Sequence, residues 1–251
     1  MRYALKFGYN GIGFFGFARQ PNLKSVEGEI IKILTEEDII EDIKKSFFRS
    51  ASRTDKDVSS LGNVVSFNSD SNKDQILSYL SDVSEEIIFY GIKKVSDDFN
   101  PRYAKNRHYR YYLKENNLDF EKMVSTLSLF TGEHNFSNFA RIEKEKNPVR
   151  IIENIVYFFK EDYLVIDFFA PNFLWNQIRR IISAAVKVGQ DKIKKEDIKN
   201  ALYKPDKSVD FNIAKASALI LKDIFYDFKF EVYSSQLSKV KKLEKKIISN
   251  L

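Results

Sequence analysis

Two periodicities alternate through roughly the first hundred residues, and their order is the tightest constraint on the fold. Arg2 to Tyr9 alternates, with Tyr3, Leu5, Phe7 and Tyr9 on one side, as a strand does. Ser25 to Leu34 sets Val26, Ile30, Ile33 and Leu34 at helical spacing. Ile43 to Ser50 returns to strand, and Asn63 to Phe67 is a short strand. Asn72 to Leu80 is a helix on Ile76, Leu77 and Leu80, and Ile87 to Val95 is a strand. This order predicts an α+β half, with helices gathered on one side of a sheet.

The turn Asp98-Phe99-Asn100-Pro101-Arg102 is a plausible hinge, because Pro101 restricts Asn100. It divides the chain into residues 1–101 and 102–251, each an α/β half. In the second half, Arg107 to Leu113 as a strand puts Arg107, Tyr109 and Tyr111 on one face and His108, Arg110 and Tyr112 on the other. Such a strand suits bases or phosphates on one side, and equally an ordinary sheet with snorkelling Arg. Phe120 to Phe130 is a helix, and Ile151 to Phe159 pairs with Tyr163 to Ala170 as a hairpin. Phe173 to Val188 is the strongest helix pattern and stops at Gly189. Arg179 and Arg180 interrupt its stripe. Either one lies at the stripe's edge beside a buried carboxylate, or both lie at the surface. Ser234 to Leu251 is a basic amphipathic helix, expected to dock on the body.

Between the strands ending at Ser50 and starting at Asn63 lies Ser52-Arg53-Thr54-Asp55-Lys56-Asp57-Val58-Ser59, a polar cluster with the signature of a turn. A carboxylate beside a guanidinium and held between strands is placed rigidly and kept ionised, as a catalyst requires. A solvated hairpin loop has the same local pattern. Near the N-terminus, Gly8, Gly11, Gly13 and Gly16 interleave with Phe14, Phe15 and Phe17. This permits close approach to a ligand or forms a wide aromatic turn, but it lacks the Lys-Ser/Thr ending of a phosphate loop.

Composition narrows the classes. The net charge of +6 suits a polyanionic partner. Cysteine is absent, which removes disulfide and thiolate chemistry, and with only two His no structural zinc site is expected. No apolar run is long enough to span a bilayer and no signal peptide is evident, so a soluble cytoplasmic protein is expected.

Several stretches, in order, resemble the TruA-type tRNA pseudouridine synthase family over nearly the whole chain. Phe7-Gly8-Tyr9-Asn10-Gly11 with Phe14, Phe15 and Gly16 resembles the family's first motif, and Val26-Glu27-Gly28 its opening helix. Arg53-Thr54-Asp55 matches the catalytic motif. Phe99 to Tyr103 followed by Tyr109-Arg110-Tyr111 resembles the segment carrying the active-site tyrosine. Gly132, His134 and Phe136 match a Gly-x-His-x-Phe element, and Phe173-Leu174 through Arg179 the helix start carrying a basic partner. The family has Gly, Gly and His where this chain has Ser52, Asp57 and Ser59, so the loop is expected to differ in shape and charge.

The resemblance implies a pseudouridine synthase-like α+β fold: two α/β halves with mixed, largely antiparallel sheets meeting at a central catalytic cleft. It implies a homodimer that isomerises uridines 38, 39 and 40 in the anticodon stem-loop of tRNA, with no cofactor and no metal. Asp55 is the catalytic carboxylate and Arg179 its ion partner. Tyr109 stacks on the uracil; with a free pKa of about 10 it is a poor general base at the start. Arg53, with Thr54 beside it, is the candidate to fill the gap left by a flipped nucleotide. Arg2, Lys6, Arg19, Lys24, Arg102, Lys105, Arg107 and Arg110 are candidates for phosphate contact. Two competing readings are a non-catalytic RNA-binding module on the same fold and a hydrolase using Asp55 with Asp57. A related synthase with a shifted RNA target is a third.

Overall fold

The computed structural model describes residues 1–205 and 207–251. In chain order the elements are β1 (Arg2–Tyr9), α1 (Val26–Glu36), β2 (Arg49–Ser50), β3 (Ser59–Asn68), α2 (Lys73–Leu80), β4 (Ile87–Lys94), β5 (Asn106–Leu113) and α3 (Phe120–Leu127). There follow β6 (Gly132–Asn135), β7 (Val149–Ile152), β8 (Asn154–Lys160), β9 (Tyr163–Ala170), α4 (Gln177–Gly189), α5 (Lys195–Tyr203), β10 (Leu219–Phe225), β11 (Glu231–Val232) and α6 (Ser234–Ile248). The chain is α+β and forms two compact units, Met1–Lys105 with Ile220–Leu251, and Asn106–Leu219.

The first unit carries a mixed sheet in the order β11-β4-β1-β3-β10, with β2 on β3. β1 lies antiparallel to both neighbours, with Leu5 opposite Val65 on β3 and Ile92 on β4. Its alternate residues Tyr3, Leu5, Phe7 and Tyr9 share one core with Val26, Ile30 and Leu34 of α1 and Ile76, Leu77 and Leu80 of α2. Ser25 caps α1 by accepting from the Gly28 N–H, and Asn72 closes a capping box on α2. The chain returns to this unit because β10 pairs parallel with β3, Ile220 opposite Ser59, and β11 pairs with β4. The compact units therefore differ from a division after residue 101 in that residues 102–105 and 220–251 belong with the first unit. The basic helix α6 is docked, through Val240, Leu243 and Ile247, with ion pairs Lys222–Glu244 and Lys239–Asp82.

The second unit has an antiparallel sheet in the order β5-β9-β8 and a two-stranded sheet β6-β7. α4 buries Ile178, Ile181, Ile182, Ala185 and Val188, the expected stripe.

Three elements start later than their patterns suggest; one is the first strand of the hairpin, which begins at Asn154 because Ile151 and Ile152 belong to β7. Of Ile43 to Ser50, only Arg49–Ser50 is strand. The Asp42 carboxylate accepts from the Lys44 and Lys45 N–H groups at 2.6 and 2.9 Å, and this side-chain turn outcompetes the ladder. α4 begins at Gln177 because Asn176 is left-handed at φ 63 and Gln177 Oε1 caps the Leu174 N–H at 2.8 Å. Among the described residues, no helix is long and apolar enough to cross a membrane.

Candidate active site

The segment Arg53-Thr54-Asp55 is irregular chain between the bend at Ala51 and the turn at Lys56 and Asp57. Thr54 is buried, and its Oγ1 is 2.7 Å from the Tyr9 hydroxyl. Arg53 is exposed and Asp55 half-buried. Thr54 is thus an anchor inside the first unit, and its two charged neighbours are more exposed than it is. Upstream, the Ser52 carbonyl accepts from Asn63 Nδ2 at 2.9 Å, and the Ala51 N–H donates to the Val64 carbonyl at 2.9 Å. Downstream, the Val58 N–H donates to the Asp55 carbonyl at 3.2 Å and closes a turn over Lys56 and Asp57.

The glycine-rich segment makes its close approach to this loop. A Cβ on Gly11 would lie 2.4 Å from the Val58 carbonyl oxygen. Gly16, at φ +96, would set one 3.4 Å from the Lys56 amide nitrogen. The Phe17 N–H donates to the Thr54 carbonyl at 3.1 Å. The departures at Asp57 and Ser59 have local reasons. Asp57 sits at φ 67, the third position of a turn that wants Gly or Asn. Asp tolerates that region better than most residues. Ser59 Oγ accepts from the Gly11 N–H at 3.0 Å, which ties the two loops together.

Asp57→Gly is therefore expected to leave stability within about 1 kcal/mol of wild type, relief of the left-handed strain offsetting added unfolded-state entropy. Asp57→Val, β-branched at positive φ, is expected to lose about 2 kcal/mol or more. Urea melts of the two variants check this, and equal losses would remove the backbone explanation.

In the second unit, Tyr109 on β5 is nearly buried and meets Phe173 edge-on, with ring centroids 5.3 Å apart. Arg179, in the first turn of α4, donates from Nε to the Ala214 carbonyl at 2.8 Å and from Nη1 to Asn176 Oδ1 at 3.4 Å. The Ala214 N–H returns a bond to the Arg179 carbonyl at 3.1 Å. Burial pushes the Tyr111 phenol up to about 12, and the positive charge of Arg179 opposes this. Arg180 instead reaches Asp210 at 2.9 Å, so the two arginines have different partners. His134 Nε2 donates to the Thr131 carbonyl at 3.0 Å, and its ring packs edge-on to the buried Phe136.

Several basic candidates turn out to be internal. Arg2 is 3% exposed and donates to the Phe99 and Phe47 carbonyls, Asn68 Oδ1 and Ser66 Oγ. Lys6 is buried against Asp223. Arg107 is buried and bonds the Pro171 carbonyl. Arg110 makes a bidentate pair with Asp167, at 2.7 and 2.8 Å. Alternation gave their strand faces correctly, but it carries no information about what lies across the sheet. Arg19 is half-exposed beside Glu27, Lys24 pairs with Glu86, Lys105 pairs with Asp227, and Arg102 is exposed.

Asp167 is a group that strand patterning did not single out. Burial pushes its carboxyl up, but bonds from Arg110 and His108 prevail and hold it at about 2. His108 Nε2 is 2.9 Å away and its ring stacks on Phe169.

A profile of the family described as tRNA pseudouridine synthase matches residues 127–227. The tRNA pseudouridine synthase A of Thermococcus sibiricus is 41% identical over 96% of this chain and 91% of its own length. That of Pyrococcus abyssi is 40% identical over 96% of this chain and 91% of its own. That of Methanosphaera stadtmanae is 37% identical over 97% and 90%. Likeness to the solved "Crystal Structure of a Cbf5-Nop10-Gar1 Complex" is slight, with TM-score 0.37 and 11% identity over 72% of this chain and 45% of that one. At this identity over almost its full length, the chain belongs to the tRNA pseudouridine synthase A family, whose members are isomerases.

Proposed function

We propose that the chain isomerises uridine to pseudouridine at positions 38, 39 and 40 of the tRNA anticodon stem-loop, with Asp55 as the catalytic carboxylate. The observation that carries this is the build of Arg53-Thr54-Asp55: a buried, hydrogen-bonded Thr54 on a fixed backbone, between a guanidinium and a carboxylate that are both more exposed than it is. The reaction breaks the N1–C1′ bond of uridine and makes a C5–C1′ bond. The proton leaves C5 and N1 gains one, so no electrons are exchanged with a second reactant. A carboxylate next to C1′ serves such a step, and a fixed backbone keeps it oriented. Tyr109 and Arg179 take their roles, stacking on the uracil and pairing with the carboxylate, from the motifs they occupy. Arg53 is the residue proposed to occupy the space of the flipped nucleotide.

Tritium release from tRNA labelled at uridine C5, with the product mapped by position, tests this. Release with pseudouridine at 38 to 40 is expected. Release with the product elsewhere moves the target, free uracil marks a hydrolase, and binding without release marks a binding module.

A homodimer is proposed as the working form. Its support is β8, at the end of its sheet, which exposes Val156, Tyr157, Phe158 and Phe159, the last at 63%. An uncovered apolar edge strand favours pairing with another chain. Phe159→Lys is expected to sediment as a monomer at concentrations where wild type is a dimer. A dimer unaffected by the substitution would place the contact elsewhere.

A further inference from the structure

We infer that Phe15 and Lys56 form a nucleotide-holding pair beside Asp55, the Phe15 ring stacking on an RNA base and the Lys56 ammonium meeting an adjacent phosphate. The inference rests on the reading of tRNA as substrate, and it assigns part of the RNA contact to residues outside the catalytic motifs.

Phe15 is 45% exposed, whereas Phe14 and Phe17 in the same segment are at 2% and 0%. The core therefore takes two of three closely spaced aromatics and leaves one in water. A single exposed apolar side chain is ordinary, so exposure alone proves nothing. Two further observations distinguish this one.

The backbone beneath the ring is held on both sides. The Phe15 N–H donates to the Lys24 carbonyl at 2.8 Å, and its carbonyl accepts from Gln20 Nε2 at 2.9 Å. The next residue, Gly16, packs on the backbone of Thr54, Asp55 and Lys56, and its carbonyl accepts from the Val26 N–H at 3.2 Å. The ring thus rides on a loop fixed to the one that carries Asp55. A platform ordered in advance loses little entropy when a base lands on it.

Lys56 Nζ lies 4.8 Å from the centroid of the Phe15 ring. This cation–π contact positions an ammonium that has no carboxylate partner among the described residues. Its neighbours in the chain are Asp55 and Asp57, and the turn between them sends the lysine toward Phe15.

An aromatic ring with an adjoining free cation is the chemistry of single-stranded nucleic-acid binding. The ring accepts the face of a base with little regard to sequence, and the cation neutralises a phosphate. A nucleotide flanking the flipped uridine fits both requirements, since the uridine's own sugar must lie against Asp55.

The test is equilibrium binding of tRNA, with KM and kcat measured in parallel, for Phe15→Ala, Phe15→Leu, Phe15→Trp and Lys56→Gln. Phe15→Ala is expected to weaken binding and raise KM roughly tenfold, with kcat at saturation unchanged. Phe15→Trp should bind as well as wild type or better, and its fluorescence should be quenched by tRNA when Trp175, the chain's one tryptophan, is replaced by Phe. Phe15→Leu keeps apolar bulk without a π face, so it should bind like Phe15→Ala while melting like wild type. Lys56→Gln should reduce the slope of log Kd against log salt by about one. Equal binding by the Leu and Trp variants, or wild-type binding by Phe15→Ala, overturns the inference. Because the readout is binding, a wild-type protein that binds tRNA but releases no tritium would sink the isomerase reading and leave this one standing.

Discussion

Asp55→Asn is expected to abolish tritium release from C5-labelled tRNA, with a loss on the order of 10⁴-fold or more in kcat/KM, about 5 kcal/mol of transition-state stabilisation. The substitution is nearly isosteric and removes only the charge. The backbone that presents residue 55 is held by groups on other residues: the Tyr9–Thr54 contact, the Asn63 bond to the Ser52 carbonyl, and the Phe17 bond to the Thr54 carbonyl. Melting temperature and tRNA affinity should therefore stay close to wild type. That combination separates a chemical role from a structural one. Activity within tenfold of wild type would dismiss Asp55 as the catalytic carboxylate. A large fall in melting temperature would show that the carboxylate belongs to the fold.

The second large effect falls on stability. Asp167→Asn leaves Arg110 on β5 without its bidentate carboxylate, in a site where Asp167 itself is 5% exposed. Removing one partner of a buried pair costs about 3–5 kcal/mol, because the remaining charge stays desolvated. For a chain of this size that corresponds to a fall in Tm of roughly 10 °C. Replacing both residues, Asp167→Leu with Arg110→Met, should recover most of the loss, since no charge is then buried.

The same pair sets an acid limit. The Asp167 carboxyl is held at about 2, below its ordinary value, so the native state binds its proton less readily than the unfolded chain does. Its contribution is complete above the unfolded pKa, near 4, and is lost as pH falls through about 2. The Asp167→Asn variant should lack that component of acid unfolding. An unchanged acid profile would show that the pair contributes nothing in this range.

What could be read from the chain before its fold was known follows a physical division. β1, α1, α2 and the β8–β9 hairpin were legible because side-chain period is a local property, and a face that must leave water announces itself every second or every third to fourth residue. The Arg53-Thr54-Asp55 motif was legible as residue types in order. Its working geometry was not, because the anchor for Thr54 is a hydroxyl on Tyr9, in a different strand. The start of α4 was misplaced because Gln177 caps it from inside the helix.

The sequence by itself determined the α+β class, the faces of the strands, the absence of thiol chemistry and, through ordered motifs, the family. Tertiary structure decided which charges remain available to a partner. Arg2, Lys6 and Arg110 carry the same charge as Arg53 and Lys56, yet the first three are spent on Phe99, Asp223 and Asp167, far away along the chain. It also decided that residues beyond Ile220 rejoin the first unit, through the pairing of β10 with β3. Coulomb attraction and hydrogen bonding depend on distance through space. Residues far apart in a chain acquire that distance only when the chain has folded.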